Sequence, residues 1–80
     1  MDSIYERLNA VFRDFFDDDS IELDAETTAD DIDDWDSLSH ITLMSAVEDE
    51  FGLRFTMGEV SGMKNVGEMA EIIKNRGKKV

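Results

Sequence analysis

Ile4, Leu8, Val11, Phe12 and Phe15 recur at the interval of one helical face, which predicts a first helix over residues 3–16. Ser3 followed by Glu6 reads as its capping box, and Asp17-Asp18-Asp19-Ser20 ends it. From Asp17 to Asp36 the helical period disappears. So long a connection is expected to carry function or to wrap over a core. Ile21, Leu23, Ile32 and Trp35 are spaced to pin it to the helices, and Thr28 with Asp31 could cap a one-turn helix near Thr28–Ile32.

The period returns at Ser37 and holds to Phe51, where Gly52 suits the left-handed position that closes a helix. Leu38, Ile41, Leu43, Met44, Val47 and Phe51 are expected to form its inner stripe. That leaves Ser39, His40, Thr42, Ser45, Glu48 and Asp49 outward. Thr56 and Glu59 form another capping box, opening a short helix over about residues 57–61 that Gly58 and Gly62 weaken. Asn65 then starts a last helix over about 66–76, with Val66, Met69, Ala70, Ile72 and Ile73 apolar, before Gly77 and a basic Lys78-Lys79 tail. No segment alternates convincingly as a strand. The expected fold is all-α: a small antiparallel bundle of three main helices plus one short helix, with a long loop between the first two.

Composition narrows what such a bundle can do. Eighty residues without a repeat suggest one domain over residues 1–80. There is no cysteine, which excludes disulfides, thiolate metal sites and a thiol nucleophile supplied by the protein, and a single histidine makes a structural zinc site improbable. Hydrophobic residues at 41% suffice for a packed core, and no apolar run reaches the length of a membrane span. Most of the five methionines are expected to fill gaps in that core. The first residues lack the basic and apolar regions of a signal peptide, so a cytoplasmic location is the expectation, and a monomer is expected.

Charge narrows it further. The formal net charge is −12, which argues against nucleic acid or an anionic membrane as partner and favours basic protein surfaces. Asp14 to Asp36 holds twelve acidic residues and no basic one, whereas five of the eight basic residues fall at or after Lys64. Most of those carboxylates are simply a solvated surface. The EF-hand pattern, started at Asp17, reads Asp17, Asp19, Ile21, Glu22 and Thr28 at its key positions and fails at the last three, so no metal site is expected.

Ser37 is the candidate for chemistry. It opens a helix, where backbone N–H groups lack partners and a partial positive charge tolerates a phosphate. A plain N-cap at Asp36 or Ser37 is the competing explanation. A hydrolytic pair of Ser37 and His40 fails, because one exposed helix face offers no oxyanion donors, no pocket and no third group to orient the imidazole. His40 is read as a solvated surface histidine, and no catalytic residue is assigned.

Asp36-Ser37-Leu38, followed by a helix that ends in Glu48-Asp49-Glu50-Phe51-Gly52, resembles the acyl carrier proteins and their peptidyl carrier relatives, and the likeness extends over the whole chain. The resemblance implies 4′-phosphopantetheine esterified to Ser37, with Asp36 and Leu38 as the flanking motif residues. A phosphopantetheinyl transferase would attach the arm from coenzyme A with Mg²⁺. It also implies a non-catalytic carrier that holds acyl or aminoacyl groups as thioesters, the arm bringing the thiol that the chain lacks. Partners would be acyl-loading and acyl-processing enzymes with basic docking surfaces. Glu48, Asp49, Ser39, Met44 and Glu59 are the candidate docking residues. Carriers of general fatty acid synthesis usually bear acids where this chain has Ser39 and Thr42, which points to a specialised pathway such as polyketide or nonribosomal peptide synthesis. The alternative is an unmodified acidic module that binds a basic protein, with Ser37 as a cap only.

Overall fold

The computed structural model describes residues 3–77. Its helices are α1 Ser3–Phe16, α2 Ser37–Phe51, α3 Met57–Gly62 and α4 Val66–Arg76, with a single 3₁₀ turn at Ala29–Asp31. There is no strand among the described residues, so the chain forms an all-α bundle. Ser3 is already helical, so the expected cap there falls at the edge of the described residues, and the Lys78-Lys79 tail lies outside them.

α1 packs against α2 and α4. Leu8 and Phe12 of α1 meet Leu43, Val47 and Phe51 of α2 and Val66, Met69 and Ile73 of α4 in a core closed to solvent. At the far end Arg7 staples α1 to α2. Its guanidinium donates to the Glu50 carboxylate at 2.9 Å and to the Glu50 carbonyl at 2.7 Å, and lies 4.5 Å from the centre of the Phe51 ring.

The helix ends follow local chemistry. α1 stops where Asp17 adopts a left-handed backbone (φ 52°), which aspartate tolerates better than most residues, and the Asp18 N–H returns to the Arg13 carbonyl at 3.0 Å. α2 ends at Gly52 with φ 67°, where the missing Cβ removes the strain. Asn65 caps α4 by accepting the Glu68 N–H at 2.9 Å.

The long loop is tied down rather than loose. Ile21, Leu23 and Trp35 are buried, and Ile32 packs half-buried beside them. Asn9 accepts the Leu23 N–H at 2.8 Å, and Arg13 donates to the Ile21 carbonyl at 2.7 Å, so α1 holds the first part. The second part meets the start of α4, where Val66 and Gly67 donate their N–H groups to the Thr27 and Ala25 carbonyls at 2.8 and 3.0 Å. The 3₁₀ turn is braced by the Thr28 N–H donating to Asp31 at 2.9 Å. The loop therefore delivers Trp35 and Asp36 to the start of α2 from a fixed direction.

Candidate functional site

The site begins at the Asp36–Ser37 junction. Asp36 is the N-cap of α2 in extended backbone (φ −128°, ψ −173°), and its Oδ1 accepts the N–H groups of Leu38 at 3.0 Å and Ser39 at 2.9 Å. Ser39 answers: its Oγ accepts the Asp36 N–H at 2.8 Å and donates to the Asp34 carbonyl at 2.9 Å. The Ser39 N–H is the main cause holding the Asp36 carboxyl below the usual carboxylate range. Ser37 sits inside this closed turn with its side chain exposed. The cap is therefore Asp36, leaving Ser37 to project its hydroxyl. The same geometry corrects one expectation: the Leu38 and Ser39 N–H groups already serve Asp36 and are not waiting for a phosphate.

α2 does not present the expected face. The buried stripe is Leu43, Met44, Val47 and Phe51, whereas Leu38 and Ile41 are 81% and 62% exposed. At about 100° per residue His40 falls in the middle of that stripe and Leu38 nearly opposite it. Met44, expected at a docking surface, is only 2% exposed and belongs to the core. His40 is half-buried rather than solvated. Its Nδ1 accepts from the Trp35 indole at 3.0 Å and its Nε2 lies 3.0 Å from the Val60 carbonyl of α3. With both ring nitrogens engaged it has none left to serve Ser37 as a base.

The other candidate docking residues also have internal work. Glu48 is half-buried and accepts the Phe55 N–H at 2.7 Å, fixing the turn after α2. Glu59 accepts the Thr56 N–H at 2.8 Å and pairs with Arg76, and that guanidinium is the first cause of its lowered pKa. The Ser39 hydroxyl is committed to the cap. Asp49 remains exposed.

Beside Ser37 a groove of about 770 Å³ runs between α2 and α3, its walls including Ile41, Met57, Val60, Met63 and Met69. The exposed Met57 (81%) and Ile41 give its mouth an apolar rim that periodicity did not reveal, and Leu38, also exposed, lies next to Ser37 in the chain. A second hollow, in the loop, is ringed by Asp18, Glu22, Asp24, Asp31, Asp33 and Asp34. Among the described residues no group of three or more His, Cys, Asp or Glu side chains is arranged to hold a metal ion, and no helix is long and apolar enough to cross a membrane.

Residues 6–73 match the family described as phosphopantetheine attachment site, and the chain belongs to it. Among solved structures, it is similar to the holo acyl carrier protein of Geobacter metallireducens: 43% identity over 94% of this chain and 86% of that one, with a TM-score of 0.86. No curated protein matches the chain. It is thus an acyl-carrier-like phosphopantetheine attachment domain, a non-catalytic carrier whose cofactor is covalently attached phosphopantetheine. Proteins of this class work with a phosphopantetheinyl transferase and acyl-processing enzymes. The residues present suit such a group: an exposed hydroxyl at a rigid helix start, an open groove beside it, and no cysteine to compete as a thiol.

Proposed function

We propose that Ser37 is the attachment point of the phosphopantetheine arm and that the chain carries acyl or aminoacyl groups between enzymes of a specialised biosynthetic pathway. The observation that carries this reading is the exposed Ser37 side chain, held between the two residues of a reciprocal cap. The arm would supply a thiol on which cargo travels as a thioester. The protein's own part is to present and to orient. Asp36 and Ser39 fix the turn so that Ser37 faces outward, and tethering there raises the cargo's effective concentration at each docked active site.

The rim around Ser37 supports the choice of pathway. Leu38, Ile41 and Met57 are apolar and exposed, Ser39 and Thr42 are neutral, and Glu48 and Glu59 are engaged within the fold. Such a surface favours partners that grip by shape and apolar contact near Ser37, with basic groups reaching the exposed Asp49 farther along α2. Docking of this kind does not require the dense acidic face that general fatty acid enzymes meet. The form we assign is a cytoplasmic monomer.

Recovery of the protein from its native host, digestion and mass spectrometry of the peptide spanning residue 37 test the reading. Phosphopantetheine on Ser37 bearing a polyketide, aminoacyl or other dedicated intermediate is the expected result. An unmodified Ser37, or an arm loaded only with ordinary fatty acyl chains, would overturn respectively the attachment and the pathway.

A further inference from the structure

His40 lies where three parts of the fold meet. The Trp35 indole Nε1 donates to His40 Nδ1 at 3.0 Å, and His40 Nε2 faces the Val60 carbonyl at 3.0 Å. These partners dictate the tautomer. An indole N–H only donates and a carbonyl oxygen only accepts, so Nδ1 is bare and Nε2 carries the one proton. The imidazole also stacks on the indole, with ring centres 5.8 Å apart and planes 29° from parallel.

The two ends of this bridge differ in freedom. Trp35 is 7% exposed and set edge-on against Phe12 at 5.1 Å, so it cannot turn away without opening the core. α3 is six residues long, has no fully buried residue and contains two glycines. Besides His40, its other polar tie to the bundle is Glu59 with Arg76 of α4.

We infer that His40 is a positioning residue that couples the attachment turn to α3, and that its bond to Trp35, the fixed end of this coupling, exists only while its imidazole is neutral. A second proton would go on Nδ1, the atom that faces the indole N–H. Two donors would then point at each other, and the Trp35 N–H would lose its acceptor. The charged ring keeps its Nε2–H for the Val60 carbonyl but meets the Trp35 N–H with a second donor, so the bridge opens at its Trp35 end. Because α3 forms one wall of the groove beside Ser37, losing the Trp35 bond leaves that wall and the His40 ring without their anchor in the core. The coupling stands whether or not the arm is attached, so its failure and that of the attachment site are separate outcomes.

The charged groups facing the same groove are Asp30 and Asp36 from the loop, Glu48 from α2 and Lys64 from the link before α4. Asp36 is engaged by the Leu38 and Ser39 N–H groups and Glu48 by the Phe55 N–H. Carboxylates ordinarily change charge below, and lysine above, the range in which an imidazole does. His40 is the chain's sole histidine and Trp35 its sole tryptophan, which makes both readouts unambiguous.

The experiment is a pH titration by NMR, continued until the His40 ring protons report the change of charge. It follows the His40 ring protons, the Trp35 indole N–H and hydrogen exchange at Val60 and Ser61. In the wild type, indole protection should fall by about 2- to 10-fold as His40 protonates, the worth of one hydrogen bond, while Val60 and Ser61 keep theirs through the Nε2–H. His40→Gln keeps an acceptor for Trp35 and a donor for Val60 without a titrating group, and should show protection that does not vary with pH. His40→Phe should be folded by circular dichroism yet unprotected throughout. Indole protection that stays constant across the His40 titration overturns the inference, even if neither variant folds. So does the same pH dependence in His40→Gln.

Discussion

Asp36 and Ser39 close the start of α2 on each other: the carboxylate accepts the Ser39 N–H at 2.9 Å while the Ser39 hydroxyl accepts the Asp36 N–H at 2.8 Å. The donors lower the folded-state pKa of Asp36. A carboxyl with a depressed folded pKa contributes stability that is full above its unfolded value and disappears as pH falls through the folded value. Asp36→Ala should therefore lower the melting temperature at neutral pH, with the gap from wild type narrowing below the ordinary aspartate range. Thermal melts of both proteins across an acid pH series measure it. A gap that persists unchanged in strong acid would assign the effect to something other than the carboxylate.

Gly67 and Gly58 should respond oppositely to alanine. A Cβ on Gly67 would lie 2.8 Å from the Ala25 carbonyl oxygen, the same atom that accepts the Gly67 N–H, whereas a Cβ on Gly58 meets nothing within 4 Å. Gly67→Ala forces the loop away from α4 and should cost about 1–3 kcal/mol, the usual range for overpacking. Gly58→Ala should stabilise α3 by about 0.5–1 kcal/mol through backbone entropy. Urea unfolding measures both, and equal effects at the two positions would contradict the packing described.

Glu48 and Asp49 are neighbours in sequence with different roles. Glu48→Ala strands the half-buried Phe55 N–H and should destabilise the fold by about 1–3 kcal/mol. Asp49→Lys should slow modification of the carrier at low ionic strength, the difference fading as salt is added. Unfolding curves and transferase kinetics at two salt concentrations distinguish them. Kinetics indifferent to Asp49→Lys at low salt would remove it from the docking surface.

The helix positions were legible because their signals are local. Thr56 with Glu59, Asn65 ahead of Val66, and Gly52 mark ends by chemistry that acts within a few residues. The exposed serine at the start of α2 was legible for the same reason. The face of α2 was not. Apolar residues at 38, 41, 43, 44, 47 and 51 cover more than half its circumference, so several stripes fit, and packing against α1 and the shared core selects one. His40 lies in that stripe by helical phase, and Trp35, five residues before it, and Val60, twenty residues after it, supply partners for its two nitrogens. Glu48 and Glu59 are likewise engaged within the fold, Glu48 by the Phe55 N–H and Glu59 by the Thr56 N–H and Arg76.

The clustered loop carboxylates give the fold a dependence on ions. With a net charge of −12 and a hollow ringed by aspartates and glutamates, added salt or Mg²⁺ should raise the melting temperature by screening self-repulsion. Differential scanning calorimetry at increasing ionic strength checks this. A melting temperature unaffected by either would show that these charges are already balanced within the fold.

In the proposed function one hydroxyl, that of Ser37, anchors the arm. Intact-mass measurement after incubation with coenzyme A, Mg²⁺ and a broad-specificity phosphopantetheinyl transferase tests it most directly. Wild type should gain the mass of a single phosphopantetheine group and Ser37→Ala should gain none. An unshifted wild type, or an adduct that persists in Ser37→Ala, would contradict the assignment.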